Sequence, residues 1–373
     1  MSSGFEIQLI AIIISIACAL PGVFLVLRKM AMMTDSITHT ILLGIVLAFF
    51  ITYDLSSPFL IVGAALMGVV TVWLTEMIAT TKLVSGDSAI GIVFPLLFSV
   101  AIILITKYAG STHLCVDSVL LGELAFAPFD RMVVFGVDIG AKSIYSGLLM
   151  LLINFGFIFF LFKELKIATF DPVLAGVMGL SPILIHYGLM TMVSLTTVVS
   201  FEAVGSILVI AFMIGPPVTA YLLTDDLKKL IMLSALFGAL SGILGYQLAY
   251  LFDVSIAGSM AVMTGVIFIC AFVFAPKRGL ISVLSQKHIR QKNFAETTLL
   301  VHLHNHKNSE EAFDENGVET ICNHLYWERK KVDKMVNALL HEGKIEIQNQ
   351  VIILTPFGET SVKEQVKALL TIE

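Results

Sequence analysis

A carboxylate and an imidazole lie four residues apart in the polar segment 34–40, which interrupts an otherwise apolar stretch of the chain. On a helix, side chains at this spacing share one face, so Asp35 and His39 would point the same way. Carboxylate and imidazole ligands suit Mn(II), Zn(II) or Fe(II), and geometry rather than affinity decides which ion is bound. The same two groups could instead hydrogen-bond each other and hold two helices together. The spacing alone favours neither interpretation over the other.

Other ionisable side chains lie at the ends of apolar runs. Glu202 opens one such run and Asp253 precedes another, and both are candidate metal-path residues. In the topology derived below, both acids fall near the outer face, where ordinary boundary residues are the favoured explanation. His186, one turn inside a run, is more typical of a packing or interface residue. Asp117 and Glu123, in a long outer segment, are placed either to receive a ligand or simply to solvate a loop.

The elements that must position these groups are apolar runs of bilayer length. Hydrophobic residues make up 57% of the 373 positions and charged residues only 14%, whereas soluble proteins carry about 25% charge. Nine runs approach the roughly 20 residues that a membrane helix needs. They cover residues 5–27, 31–53, 58–80, 89–106, 143–162, 183–200, 202–224, 229–251 and 256–275. We therefore predict an all-α polytopic membrane protein with about nine transmembrane helices.

The Lys and Arg residues between these runs are unevenly distributed. Connectors on one side of the predicted membrane carry nine of them, and connectors on the other side carry three. Positive residues favour the cytosolic side. The N-terminus is therefore expected outside and the C-terminus in the cytosol, and an odd number of spans is consistent with that arrangement.

A change in composition divides the chain near residue 280. Residues 1–276 hold 15 acidic and 10 basic side chains, whereas residues 277–373 hold 13 of each and six of the nine histidines. An apolar, weakly charged part followed by a polar, histidine-rich part indicates two domains. We interpret residues 1–280 as a transmembrane domain and residues 281–373 as a cytosolic domain.

The polar tail shows an α+β pattern. Helical patterns cover residues 293–306 and 318–342, and two short strands flank a turn at Asn349-Gln350 before a last helix. Helices followed by a two-stranded wing that ends in Leu-Thr-Pro-x-Gly, at 354–358, resemble a winged helix of the metal-dependent iron and manganese repressors. The tail is therefore expected to be a small winged-helix-like domain.

The charges and histidines of the tail bear on its function. DNA is a possible partner but a disfavoured one, because a DNA-reading domain usually has a basic face. This tail is charge-balanced, and its one basic run lies within residues 329–334. A protein-interaction or metal-sensing module is the favoured alternative. His302 and His306 would share a helix face and form a possible metal site, although a solvated histidine cluster is the simpler explanation.

Four sequence blocks in a fixed order characterise the apolar part of the chain. They are Arg28-Lys29-Met30-Ala31 running into Asp35-Ser36-Ile37-Thr38-His39 and Gly44; Asp87-Ser88-Ala89-Ile90-Gly91-Ile92; Phe170-Asp171-Pro172 with Ala175 and Met178-Gly179-Leu180; and Val204-Gly205-Ser206-Ile207-Leu208-Val209 followed by Gly215-Pro216-Pro217-Val218-Thr219-Ala220. Together they resemble the zinc, manganese and iron-chelate family of ABC permeases over roughly residues 5–280. The tail departs from the simplest family members, which end soon after the last apolar run.

The resemblance implies a bacterial inner-membrane permease that imports manganese, zinc or iron. Such permeases pair as homodimers or heterodimers, bind cytosolic ABC ATPase subunits, and receive metal from an extracytoplasmic receptor protein. The polar segment 163–181, cytosolic by the charge count, is where the ATPase would dock. The docking residues implied are Phe170, Asp171, Pro172, Ala175 and Gly179.

The sequence pattern contains no nucleotide-binding motif. Its only Gly-Lys dipeptide, Gly343-Lys344, is followed by Ile345, and Ala338 stands where a P-loop needs glycine. We therefore expect a transport subunit rather than an enzyme, with ATP hydrolysis supplied by a partner. No permanently bound cofactor is expected, and the divalent metal is the transported substrate.

Two other functions compete with this interpretation. An ion-coupled secondary metal transporter would explain intramembrane acids without an ATPase, and inverted repeats would favour it, but the chain shows no convincing internal repeat. A membrane-tethered metal-responsive regulator would use the tail to sense metal. Nine spans with embedded polar groups are more than an anchor requires.

Overall fold

The computed structural model describes residues 3–54, 57–108, 124–134, 137–307 and 312–370 of the chain. It divides into two compact units, Met1–Leu280 and Ile281–Glu373. Each unit has a hydrophobic core of its own. The candidate residues Asp117 and Glu123 lie outside the described residues.

The first unit is built from long apolar helices. In chain order its helices are α1 (Ser3–Leu27), α2 (Met32–Thr52), α3 (Phe59–Thr80), α4 (Gly86–Tyr108), α5 (Lys142–Phe160), α6 (Phe162–Phe170), α7 (Pro172–Val177), α8 (Pro182–Val204), α9 (Ser206–Leu223), α10 (Leu227–Phe252) and α11 (Ile256–Phe274). Within the described ranges, all of these except the short α6 and α7 are long and apolar enough to span a bilayer. The prediction of a mostly helical unit with about nine candidate spans is confirmed, whereas the all-α prediction missed one short β-hairpin in this unit.

Several helices begin at side-chain caps that can be recognised in the sequence. Asp226 accepts hydrogen bonds from the backbone N–H groups of the first turn of α10. Ser181 does the same for α8 and Ser255 for α11. Because the first N–H groups of a helix have no partner within it, each of these oxygens stabilises a helix start by about 1 kcal/mol.

The predicted runs 183–200 and 202–224 become two helices separated at a single residue. Gly205 has φ +81°, a conformation that glycine adopts without a Cβ penalty, and it ends α8 immediately before α9 begins. Glu202 therefore lies in the last turn of α8. The prediction that Glu202 opens the following span is wrong, because hydrophobicity alone does not show where a helix ends between two adjoining apolar runs.

Two consecutive prolines lie inside α9 without ending it. Pro216 and Pro217 have no backbone N–H, so two hydrogen bonds of the helix cannot form. The hydroxyl of Thr219 donates to the carbonyl of Gly215 at 2.8 Å. The carbonyl of Met213 faces Gly22 of α1 so closely that a Cβ at Gly22 would collide with it. Neighbouring groups thus cover the irregular part of the helix.

Small residues set the packing of α1 against α10. Gly242 lies against Ala11, and Gly238 lies against Ser15. The residue numbers run in opposite directions along the contact, so the two helices are antiparallel. Close approach at small residues is the usual way for membrane helices to gain packing contacts.

A hairpin follows the fourth span. Strands β1 (Arg131–Val134) and β2 (Val137–Ala141) are antiparallel and follow a 3₁₀ turn at Ala127–Phe129. Arg131 donates to both carboxylate oxygens of the buried Glu6 at 3.0 and 3.1 Å. Both contacts come from one guanidinium nitrogen, Nη1, and this ion pair anchors the hairpin to the start of α1.

The second unit is a small α+β structure. Its elements are α12 (Leu280–Asn305), α13 (Ala312–Glu315), α14 (Ile321–His324), α15 (Arg329–His341), β3 (Ile345–Gln348), β4 (Val351–Leu354) and α16 (Pro356–Leu370). The strands form an antiparallel hairpin whose turn, Asn349 and Gln350, has φ of 50° and 64°. The predicted turn is confirmed.

One predicted helix of the tail is interrupted. Instead of a continuous helix over 318–342, α14 and α15 are separated by a turn in which Tyr326 has φ +52°. The continuous helix was a wrong prediction, because polar residues at helical spacing do not reveal a two-helix corner. The described residues show helices and a two-stranded sheet, and the winged-helix fold itself stays a prediction.

Candidate functional site

Asp35 and His39 lie on one face of α2, as their spacing predicts. The Nε2 atom of His39 is 3.5 Å from Oδ1 of Asp35. The imidazole packs against Phe94 and Phe98 of α4, with ring centroids 5.4 and 5.6 Å away. The Nδ1 atom of His39 is buried and has no hydrogen-bond partner among the described residues.

The pair is not fully enclosed by its own chain. The side chains of Asp35 and His39 remain 38% and 29% exposed, while neighbouring Thr34, Ser36 and Thr38 are buried. A distance of 3.5 Å is also long for an Asp–His hydrogen bond. The geometry therefore places one carboxylate and one imidazole side by side, facing a surface that this chain leaves open.

Asp253 lies at the opposite end of the bundle from Asp35. Because α10 runs antiparallel to α1, the end of α10 lies beside the start of α1, and we call this side the Glu6 end. Asp253 follows α10 there in a left-handed conformation, φ +52°. Asp35 follows Arg28 at the other end, the Arg28 end. At 1.5 Å per helical residue, the length of α1 separates the two acids by about 30 Å.

Glu202 also lies at the Glu6 end. It pairs with Lys142, whose Nζ is 3.2 Å from Oε1 of Glu202 and 3.8 Å from Oδ2 of Asp130 in the loop before the hairpin. The structure brings Asp35 and His39 together and keeps Glu202 and Asp253 away from them. The four predicted metal-path residues do not form one site within a single chain.

The segment predicted to dock an ATPase folds as two short helices outside the spans. We call residues 162–181, which contain α6 and α7, the docking segment. Oδ1 of Asp171 accepts a hydrogen bond from the backbone N–H of Leu174 at 2.9 Å, and Pro172 occupies the first turn of α7. Gly179, at φ +82°, turns the chain towards α8. Cap, proline and glycine together determine the shape of the segment.

The docking segment has an anchored face and an exposed apolar face. Leu165, Ala168 and Ala175 are buried. The exposed face consists of Phe170, Val173, Leu174, Val177 and Met178. Ala175 thus anchors the segment to the rest of the unit, whereas Phe170 is exposed and available to a partner. Contiguous exposed apolar side chains outside a membrane span are typical of an interaction surface.

A cluster of polar side chains that sequence reasoning missed lies at the Arg28 end. Nε of Arg28 donates to the hydroxyl of Thr169 in α6 at 3.1 Å, and Nη1 of Arg28 is 3.0 Å from Nδ1 of His186. Nε2 of His186 is 2.5 Å from Oε1 of Glu76, and Tyr187 donates to Oε2 of Glu76 at 2.9 Å. We call these five residues the Arg28 cluster.

The charges of the Arg28 cluster are half-buried. Burial lowers the pKa of the Arg28 guanidinium, and the nearby Glu76 carboxylate opposes that shift. An open pocket of about 510 Å³ beside the cluster gives water access to these groups. The feature of the sequence that could have revealed this cluster is Glu76, an acid inside the apolar run 58–80. Burying this carboxylate in a membrane span costs free energy, as it does for Asp35.

The histidines of the tail contact one another and an acid. The His302 and His306 rings are 4.7 Å apart, and His306 forms an ion pair with Glu315. Burial lowers the pKa of His302. The ring centroid of His324 is 6.5 Å from that of His302. Over the described ranges, no three His, Cys, Asp or Glu side chains are arranged to hold a metal ion, so a metal site at His302 and His306 stays a prediction.

Comparison with known families decides what kind of protein carries these features. The ABC 3 transport family matches residues 5–275. This chain belongs to the ABC 3 transport family. The match reaches each of the long apolar helices described above and leaves the tail outside. It confirms the resemblance carried by the four sequence blocks, while the likeness of the tail to metal-dependent repressors stays a prediction.

Relatives of this ABC 3 protein differ in whether they match the tail. The zinc transport system membrane protein TroD of Treponema pallidum is 42% identical over 358 residues, which is 95% of this chain and 96% of TroD. The manganese transport system membrane protein MntD of Bacillus subtilis is 46% identical over 281 residues, 75% of this chain and 95% of MntD. The match to TroD therefore includes most of the tail, whereas the match to MntD leaves a quarter of this chain without a counterpart.

A solved structure has the same membrane fold. PsaBC from Streptococcus pneumoniae, in complex with Fab, superposes with a TM-score of 0.62 at 29% identity. The superposition covers 74% of this chain and 94% of the matched PsaBC chain. The likeness therefore concerns a part of this ABC 3 protein about as large as its membrane unit.

Proposed function

We propose that this chain is the membrane-spanning permease subunit of an ATP-driven importer of a divalent transition metal: manganese, zinc or iron. The observation that carries the proposal is the Asp35–His39 pair, a carboxylate and an imidazole on one helix face of a transport-family bundle. Relatives named for zinc and manganese transport support this substrate class.

A single copy of the chain supplies only part of a coordination sphere. Asp35 and His39 offer one oxygen and one nitrogen ligand type, and the described residues contain no third His, Cys, Asp or Glu that completes a metal site. Transition metals take about four or more ligands. A second copy related by a two-fold axis would bring the same two side chains to the same place. Pairing would therefore supply four protein ligands.

The exposure of the pair supports such a partner. A carboxylate near the membrane costs several kcal/mol unless it faces a partner, a cation or a water-filled path. Asp35 and His39 keep an open side, whereas the Nδ1 atom of His39 is buried within the chain. A cation held between two permease copies would satisfy both residues.

The two ends of the bundle then take different partners. The charge count places the Arg28 end in the cytosol, where the exposed apolar face of the docking segment would receive the ATPase. The Glu6 end, with Glu202 and Asp253, would face an extracytoplasmic metal receptor. In this arrangement the N-terminus is outside, the tail is cytosolic, and the protein lies in a bacterial inner membrane.

Reconstitution tests the proposal directly. Proteoliposomes that contain the chain with its ATPase should accumulate radioactive Mn(II), Zn(II) or Fe(II) only when receptor, metal and ATP are all present. A catalytically dead ATPase is the matched control and should abolish uptake. Uptake driven by a proton or sodium gradient without ATP would instead identify a secondary transporter and contradict the proposal.

The tail is expected to be dispensable for transport. The family match ends at residue 275, and the match to MntD leaves a quarter of this chain without a counterpart. A chain that lacks residues 285–373 should therefore retain at least about half of the uptake per inserted molecule. Loss of all uptake by a well-inserted truncation would show that the tail belongs to the transport machinery.

A further inference from the structure

The Arg28 cluster connects four elements that are distant in the chain. Arg28 follows α1, Thr169 lies in the last turn of α6, Glu76 lies near the end of α3, and His186 and Tyr187 lie in the first turns of α8. Arg28 and His186 are 158 positions apart in the sequence. The cluster therefore ties the docking segment to two membrane spans at the Arg28 end.

The contacts continue from this cluster towards the candidate metal ligands. Glu76 lies five residues after Thr71 on α3, and the hydroxyl of Thr71 donates to the hydroxyl of Thr40 at 2.8 Å. Thr40 is the neighbour of His39 on α2. The helices α2 and α3 also approach closely where Gly44 faces Gly63 and Ala64. Thr169 is thus connected to His39 by the side-chain contacts of the Arg28 cluster, by the body of α3, and by the α2–α3 contact at Thr71 and Thr40.

Charged groups at the Arg28 cluster fix the orientation of the docking segment, because their hydrogen bonds are directional as well as attractive. Arg28 has donors fixed in one plane, and here two of them contact two different elements, Thr169 and His186. Apolar side chains could also fill the contact between the docking segment and the spans. Their contacts are not directional, however, so the docking segment could shift along α3 and α8. Removing one member of such a half-buried network leaves its partners unsatisfied.

We propose that the Arg28 cluster couples the docking segment to α3 and α8, so that movement of a bound ATPase is transmitted to the helix pair α2–α3 and the metal ligands. Arg28, Thr169, His186 and Glu76 are thus positioning residues that act through other groups. The inference rests on the proposed function. It goes beyond that function by assigning energy coupling to specific residues within the membrane unit.

A matched pair of variants at Thr169 tests this coupling with little disturbance of packing. Thr169→Val keeps the branched shape and removes the oxygen that accepts from Arg28, whereas Thr169→Ser keeps that oxygen. We expect Thr169→Val and Arg28→Gln to retain ATPase binding and ATP hydrolysis but to import about tenfold less metal per ATP. Thr169→Ser should behave as the wild type.

Asp225→Asn provides a second control for this experiment. Asp225 pairs with Lys277 and Arg278 outside the cluster, and its loss should leave metal per ATP unchanged. If the cluster only stabilises the fold, Thr169→Val will lower the melting temperature and leave metal per ATP unchanged. That outcome would overturn the inference.

A measurement without metal separates this inference from the proposed function. Spin labels at the exposed positions Met77 and Lys166, the latter away from the apolar docking face, report the distance between α3 and the docking segment in the complex with the ATPase. In the wild type this distance should stay constant between the nucleotide-free and the vanadate-trapped state, and in Arg28→Gln it should change. A changing distance in the wild type would contradict the coupling, whereas absence of uptake by the wild type would contradict only the proposed function.

Discussion

Replacing Asp35 by Asn is expected to reduce metal uptake by at least about tenfold while the protein inserts and binds its ATPase normally. The substitution keeps the size and hydrogen-bonding capacity of the side chain and removes the charge that a divalent ion would meet. Changes outside the first ligand sphere of metal sites cost about 10- to 100-fold, so loss of a direct ligand should cost at least as much. Uptake of radioactive metal in proteoliposomes, normalised to inserted protein, measures the effect.

His39 provides the partner experiment. His39→Gln keeps a polar side chain between Phe94 and Phe98 and removes the imidazole ligand, so uptake should fall as it does for Asp35→Asn. Asp314→Asn and His341→Gln make the same substitutions at exposed positions of the tail and should have no effect on uptake.

The packing interpretation of the pair gives the opposite pattern. If Asp35 and His39 serve only to hold helices together, Asp35→Asn still hydrogen-bonds His39 and should be nearly harmless, whereas His39→Gln should lower the melting temperature. Near-normal uptake by both variants would rule out the metal-path assignment.

The second large effect is expected on the docking segment. Val177 is 81% exposed and Val173 is 78% exposed, so an aspartate at either position should not disturb the fold of the free chain. Buried against a partner, an unpaired carboxylate costs about 2 kcal/mol or more, which corresponds to about 30-fold weaker binding. Co-purification of the ATPase with Val177→Asp should fall accordingly, and uptake should fall with it.

Val254→Asp serves as the control for this prediction. Val254 is an exposed valine at the Glu6 end, so the same substitution there should leave ATPase binding intact. Wild-type recovery of the ATPase with both Val173→Asp and Val177→Asp would exclude the exposed face of α7 as the docking surface.

Local features of this protein could be predicted from its sequence because their causes are local. The length of each apolar run reports a membrane span, since a bilayer requires about 20 residues whatever the neighbouring helices are. Asp171-Pro172 predicts the start of α7, because a capping oxygen and a preset φ act within one turn. The shared face of Asp35 and His39 follows from helical periodicity alone.

Helix neighbours were decided only by the tertiary structure. Lipid and protein interior are both apolar, so hydrophobicity does not distinguish the face of a span that meets lipid from the face that meets another helix. The contact between Arg28 and His186, 158 positions apart, therefore could not be predicted from the hydrophobicity pattern of the sequence. The burial of Ala175 and the end of α8 at Gly205 depend in the same way on groups that the local sequence does not contain.

The separation of the candidate metal residues was visible only in part from the sequence. The charge pattern placed Glu202 and Asp253 near the outer face, and helical spacing placed Asp35 and His39 on one helix face. The antiparallel packing of α1 and α10, made possible by Gly238 and Gly242, places Asp253 at the end of the bundle away from Asp35. Residue types thus determined which chemistry is available, and helix packing determined which of these residues share a site.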